Sequence, residues 1–109
     1  MFEDVTDDAE PDTGWAHVAS HDDAPAVIDA VLRLDPAETY TKTELSDEAG
    51  VPLKTLYLDG TLGHLVEMGF LEKHAEEGEE AVFSADTSTD VYQAALAFDA
   101  AVDARVGEE

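Results

Sequence analysis

Apolar residues at Val27, Ile28, Val31 and Leu32 fall at the spacing that paints one stripe along a helix. Asp22 or Asp23 stands where an N-cap is needed, and Asp35-Pro36 ends the segment because proline bars its predecessor from helical backbone. Thr39-Tyr40-Thr41 is a short β-prone run. A second helix is predicted from Thr43 to Ala49, with Ser46 and Asp47 near its first turn and Gly50 as its C-cap. Pro52 suits the opening of a third helix that runs to Met68, with Leu58, Leu62, Leu65 and Val66 on one face and Gly69 at its end. Two alternating runs follow, Phe70 to His74 and Ala81 to Ser84, around a polar loop with Gly78, which predicts a hairpin. Ser88 or Thr89 then caps a final helix whose Val91, Ala95, Phe98, Val102 and Val106 approach the spacing of a coiled-coil seam.

Charge changes this picture from ordinary to unusual. Of 109 residues 27 are Asp or Glu, and the formal net charge is −22, yet 44% of the chain is hydrophobic. That apolar share supports a folded core, so the acids form a shell around one modest domain rather than a disordered chain. A shell of this kind is tolerable where salt screens like charges within a few ångströms, the Debye length being about 3 Å at about 1 M. Few lysines with abundant Asp, Glu, Ala, Val and Thr resemble the style of salt-in halophiles, and imply solvent K+ or Na+ at the acidic surface. Residues 1 to 14 hold six acids and read as a solvated tail, ended by Trp15, the only tryptophan, as a lid on the domain.

Several chemistries are excluded or disfavoured. The chain has no cysteine, so disulfides and thiolate sites are out. Phosphate-binding glycine loops, nucleophile elbows and HExxH are missing, and acid pairs are too many for any one to be singled out, so no enzyme and no cofactor are expected. His17 and His21 have a helical metal-ligand spacing, but Ser20 and a cap at Asp22 argue against a helix there, and no metal is expected. No segment reaches the roughly 20 apolar residues of a membrane span, and the N-terminus lacks a targeting pattern, so a cytoplasmic protein is expected.

One segment breaks the acidic habit: between Glu48 and Glu67 the sole acid is Asp59. Thr43-Glu44-Leu45-Ser46-Asp47-Glu48-Ala49-Gly50-Val51, followed by Leu65-Val66-Glu67-Met68-Gly69-Phe70-Leu71-Glu72-Lys73 and a hairpin, resembles winged helix-turn-helix transcription regulators, in particular small haloarchaeal ones. The likeness implies a mainly α fold with a small β-hairpin, a winged domain over residues 15–86, and a C-terminal dimerisation helix over 87–109. It implies double-stranded DNA as partner, with the third helix in the major groove, where carboxylates would be repelled. Lys54, Thr55, Tyr57, Thr61 and His64 would meet the duplex from that helix, Lys42 from the second helix, and Lys73 with His74 from the wing. A homodimer would pair through Val91, Tyr92, Ala95, Leu96, Phe98 and Val102. The chain departs from the family pattern in carrying Gly60 and Gly63 and about two extra residues in the third helix, which predicts a bulge near Leu58-Asp59-Gly60 or a later start. The alternative is a winged module that holds another protein, favoured by four carboxylates in the hairpin loop, Glu76, Glu77, Glu79 and Glu80.

Overall fold

The computed structural model describes residues 13–107. Residues 1–12 of the expected acidic tail, and the final two residues of the expected dimerisation segment, lie outside the described residues. Within them the order is α1 (Gly14–Ala19), α2 (Ala24–Arg33), α3 (Lys42–Ala49), α4 (Leu53–Asp59), α5 (Thr61–Met68), β1 (Leu71–His74), β2 (Val82–Ala85) and α6 (Asp90–Val106). The protein is thus mainly helical with one small antiparallel sheet.

The helix boundaries follow from local hydrogen bonding. Thr13 caps α1 through its side chain, so the expected tail ends two residues early and Gly14 is already helical. His17 lies inside α1, against expectation, while His21 falls beyond the C-cap Ser20. Helix α3 begins at Lys42, not Thr43. The Thr41 hydroxyl accepts from the Glu44 amide at 3.1 Å, and the Glu44 carboxylate accepts from the Thr41 amide at 2.9 Å. This reciprocal pair satisfies two otherwise orphaned donors, which a cap at Thr43 could not do. Gly50 then closes α3 in the left-handed region at φ 70°.

The expected single helix from Pro52 to Met68 is two helices. Gly60 adopts φ 67°, a left-handed conformation that glycine takes without the steric penalty of a Cβ. The chain is interrupted there by a break between two helices rather than by a bulge within one. The break also reorients Leu58, which points to solvent with 69% of its surface exposed instead of joining Leu62, Leu65 and Val66.

A core of Val27, Val31, Leu45, Leu56, Leu62, Leu65, Leu71 and Phe83 ties α2, α3, α4, α5 and the hairpin together. In the sheet Lys73 pairs with Phe83 and Leu71 with Ala85. Tyr40 extends the sheet by one bridge. Its amide donates to the Phe83 carbonyl at 2.7 Å, and the Phe83 amide donates back at 2.8 Å. The buried Ser46 hydroxyl donates to the Val51 carbonyl at 2.6 Å, which holds the short turn between α3 and α4.

Helix α6 is capped by Thr89, whose hydroxyl also donates to the Gly69 carbonyl at 2.7 Å and so fastens it to the end of α5. Only its first turns pack on the body: Tyr92 is buried and Ala95 lies against the core. These two residues are therefore intramolecular contacts, which corrects their place in the expected dimer seam. Val91, Leu96, Phe98, Val102 and Val106 remain exposed. Trp15 leans edge-on against Phe98 with ring centroids 5.4 Å apart, yet 67% of it faces solvent, so it is less a lid than a strut from α1 to α6.

Candidate functional site

The chain has five cationic side chains; Lys42 and Lys73 meet beside α4, and Lys54 is exposed on α4 itself. Lys42 at the start of α3 and Lys73 on β1 line one depression of about 180 Å³ together with Leu56, Tyr57, Gly60 and Gly63. The Lys42 ammonium stands 5.3 Å from the centroid of the Tyr57 ring, within range of a cation–π contact. Lys54 is exposed on the same helix as Tyr57, three residues earlier, so the two share a face. Gly60 and Gly63 leave the rim of the depression open, because a Cβ at either would meet nothing within 4 Å.

The other two cations are occupied elsewhere or distant in sequence. Arg33 lies 3.4 Å from Asp29 and 4.0 Å from Glu48, and Arg105 is in the last turn of α6. Asp59, the one acid of the segment, belongs to a different depression lined by Ser20, His21 and Asp22. The lysine face is therefore free of a carboxylate from its own helix. The four glutamates of the β1–β2 loop are all exposed beyond it.

The remaining expected contact residues divide. Thr55 is half-buried, and His74 is exposed on β1, where its Nε2 lies 2.9 Å from the Ser84 hydroxyl. Thr61 is corrected: it is 0% exposed, and its hydroxyl donates at 2.7 Å to the carboxylate of Asp23. The break at Gly60 turns it inward, where it joins α5 to the start of α2. Asp23 in turn makes no side-chain capping bond to α2; its Oδ1 accepts from Thr61. His64 is also corrected. Its Nε2 lies 2.9 Å from the His17 carbonyl, which can only accept, so this nitrogen donates and the ring is bound to α1. The His21 ring stacks on His64 at 4.5 Å and the His17 ring lies at 6.0 Å. Among the described residues no group of three or more His, Cys, Asp or Glu side chains is arranged to hold a metal ion.

Two residues of the face were missed in the sequence. Leu53 is exposed at the start of α4, and Leu58, counted as core, is exposed with Tyr57, which is 70% accessible. Helical geometry places Leu53, Tyr57, Lys54 and Leu58 along the exposed arc, with Leu56 facing the core, opposite Lys54 and Leu58 and next to Leu53. The signal was available once α4 was separated from α5: with Leu56 turned to the core, the i, i+4 pair Lys54/Leu58 falls on the far side of the helix.

Among the described residues no helix is long and apolar enough to cross a membrane. Comparison with protein-family models, with curated proteins and with solved structures finds no match for the chain.

Proposed function

We propose that the chain is a winged helix-turn-helix, sequence-specific DNA-binding transcription regulator adapted to high salt. In this reading α3 and α4 with the turn Gly50 to Pro52 form the helix-turn-helix, α5 continues the third helix, and β1 and β2 form the wing. The observation that carries it is the meeting of Lys42 and Lys73 in one depression beside Tyr57, with Lys54 exposed on the same helix, in a chain of charge −22. A polyanion is the partner such a face suits, because the rest of a chain with 27 acids and five cations repels it. The exposed row Val91, Phe98, Val102 and Val106 on α6 would pair two copies and set two α4 helices on one duplex. In molar salt the release of counterions from DNA drives little, and the glutamates of the wing take up cations as they near phosphate. Affinity is then flat or rising with salt.

The test is fluorescence polarisation with duplex from upstream of the protein's own coding sequence and a scrambled duplex, in about 2 M KCl, where screening is short-ranged, and in low salt. Preference for the native duplex in high salt supports the reading; a steep fall of affinity with salt contradicts its adaptation to salt. Lys54→Glu with Tyr57→Ala is expected to weaken binding by roughly ten- to a hundredfold, the worth of one or two base or phosphate contacts. Both side chains are exposed, so the circular dichroism of the variant should match the parent. A second reading, a module that binds another protein, is favoured by the apolar Leu53 and Leu58 and by the acidic β1–β2 loop. It predicts no preference between the duplexes at any salt.

A further inference from the structure

Base reading in a major groove relies mostly on arginine or lysine for guanine, and asparagine or glutamine for adenine. Of these α4 offers Lys54 alone. The chain contains no asparagine, and its single glutamine, Gln93, donates its amide to the Thr87 carbonyl at 3.0 Å on the α6 cap. Its two arginines lie outside the lysine face, Arg33 against Asp29 and Glu48, Arg105 near the end of α6. What α4 does present is Leu53, Tyr57 and Leu58 around Lys54. An exposed apolar arc on a protein that covers its surface with carboxylates is a feature in need of a partner.

Resting on the regulator reading, we infer that α4 recognises its site chiefly by apolar contact with the C5-methyl groups of thymines in the major groove. The occupant is argued from charge and from size. Lys54 lies within the apolar arc, and Lys42 and Lys73 line the depression that Tyr57 shares, which suits a ligand with apolar points between anionic rails. Thymine methyls between two phosphate backbones are such a ligand. The seven residues of α4 span about 10 Å, or roughly three base steps, so three side chains face about three base pairs. Salt selects the same mode. At molar salt the phosphate attraction is screened within about 3 Å, whereas removing a methyl and a leucine from water remains favourable. The sites it implies are runs of A·T pairs with thymines on the strand that α4 faces, flanked by at most one guanine within reach of Lys54.

The experiment removes the methyl and nothing else from the base edges. The upstream duplex is amplified with dUTP in place of dTTP, which leaves every hydrogen-bonding group in the groove unchanged, and its affinity is compared with the thymine duplex in high salt. Each methyl buried against a side chain is worth roughly a three- to fourfold change in affinity, so three contacts give about a fortyfold loss per α4 helix. Leu53→Ala/Leu58→Ala, at two exposed positions, is expected to bind the two duplexes with nearly equal affinity. Loss with deoxyuridine in the parent but not in the variant supports the inference. Equal binding of thymine and deoxyuridine duplexes, with preference over scrambled DNA intact, overturns it and leaves the regulator reading in place. No preference for the native duplex overturns both, and the apolar arc then belongs to a protein partner.

Discussion

Thr61→Val isolates a single buried hydrogen bond. The two side chains have nearly the same volume and the same branching, so neither a cavity nor a change of rotamer freedom is introduced. What is lost is the donor to Asp23 Oδ1 at 2.7 Å, in a place where the other carboxylate oxygen already has no partner among the described residues. Hydrogen bonds to a carboxylate are worth about 1.5–3 kcal/mol, and leaving the buried acceptor bare places the cost in that range. Asp23 retains a little exposure, 9%, through which water reaches it, so the expected loss is about 2 kcal/mol. For a domain of this size that is a fall in Tm of roughly 8–16 °C, or a urea midpoint lower by about 1 M. Denaturation is followed in high salt for Thr61→Val, Asp23→Ala and the double variant. The cycle should return a coupling of at least about 1 kcal/mol, since removing both partners costs less than the sum of removing each. A loss below about 0.5 kcal/mol for Thr61→Val, or additive single losses, would refute the claim that this bond joins α5 to α2.

Two glycines close together should respond with opposite signs. Gly60→Ala forces a Cβ into left-handed backbone at φ 67° and should cost about 1–2 kcal/mol in thermal or urea unfolding, while Gly63→Ala, inside α5 with open space around it, should gain about 0.5–1 kcal/mol. Equal effects would mean that α4 and α5 are not broken at Gly60. Val91→Glu/Val102→Glu should turn a dimer into a monomer in sedimentation velocity while leaving the unfolding transition of the protomer within about 0.5 kcal/mol, because both side chains are exposed in the single chain. A parent that sediments as a monomer in high salt would remove the pairing from the proposed function.

The elements were legible wherever one period of the pattern served one environment. Val27, Ile28, Val31 and Leu32 line one side of α2, and Gly50 and Gly69 end helices in left-handed backbone as their sequence positions predict. The hairpin lies within one residue of its expected place. The reading went astray where a glycine reset the phase. Counting Leu58 in register with Leu62 and Leu65 is correct for a continuous helix and wrong across Gly60, and the same slip placed Thr61 on the surface. In α6 the stripe was real, but its first part serves the chain's own core through Tyr92 and Ala95, and periodicity carries no mark of which molecule a face will meet. Of the site, the lysines were visible from their scarcity, and the resemblance put Lys42, Lys54 and Lys73 on one surface; that Lys42 and Lys73 line one depression needed the fold. The link from His64 to α1 was hidden because its partner is a backbone carbonyl, which the sequence does not display.

The joint at Gly60 also divides the segment by how firmly it is held. Helix α5 buries Thr61, Leu62 and Leu65, whereas α4 buries Leu56 alone. The free energy needed to open α4 locally is therefore a small part of that needed to unfold the domain, and its amides should exchange with solvent well before those of α5. A helix anchored at one side chain and pivoted at one residue can settle its pitch against a surface while the core stays fixed, so under the proposed function the ordering of α4 would become part of the free energy of recognition itself.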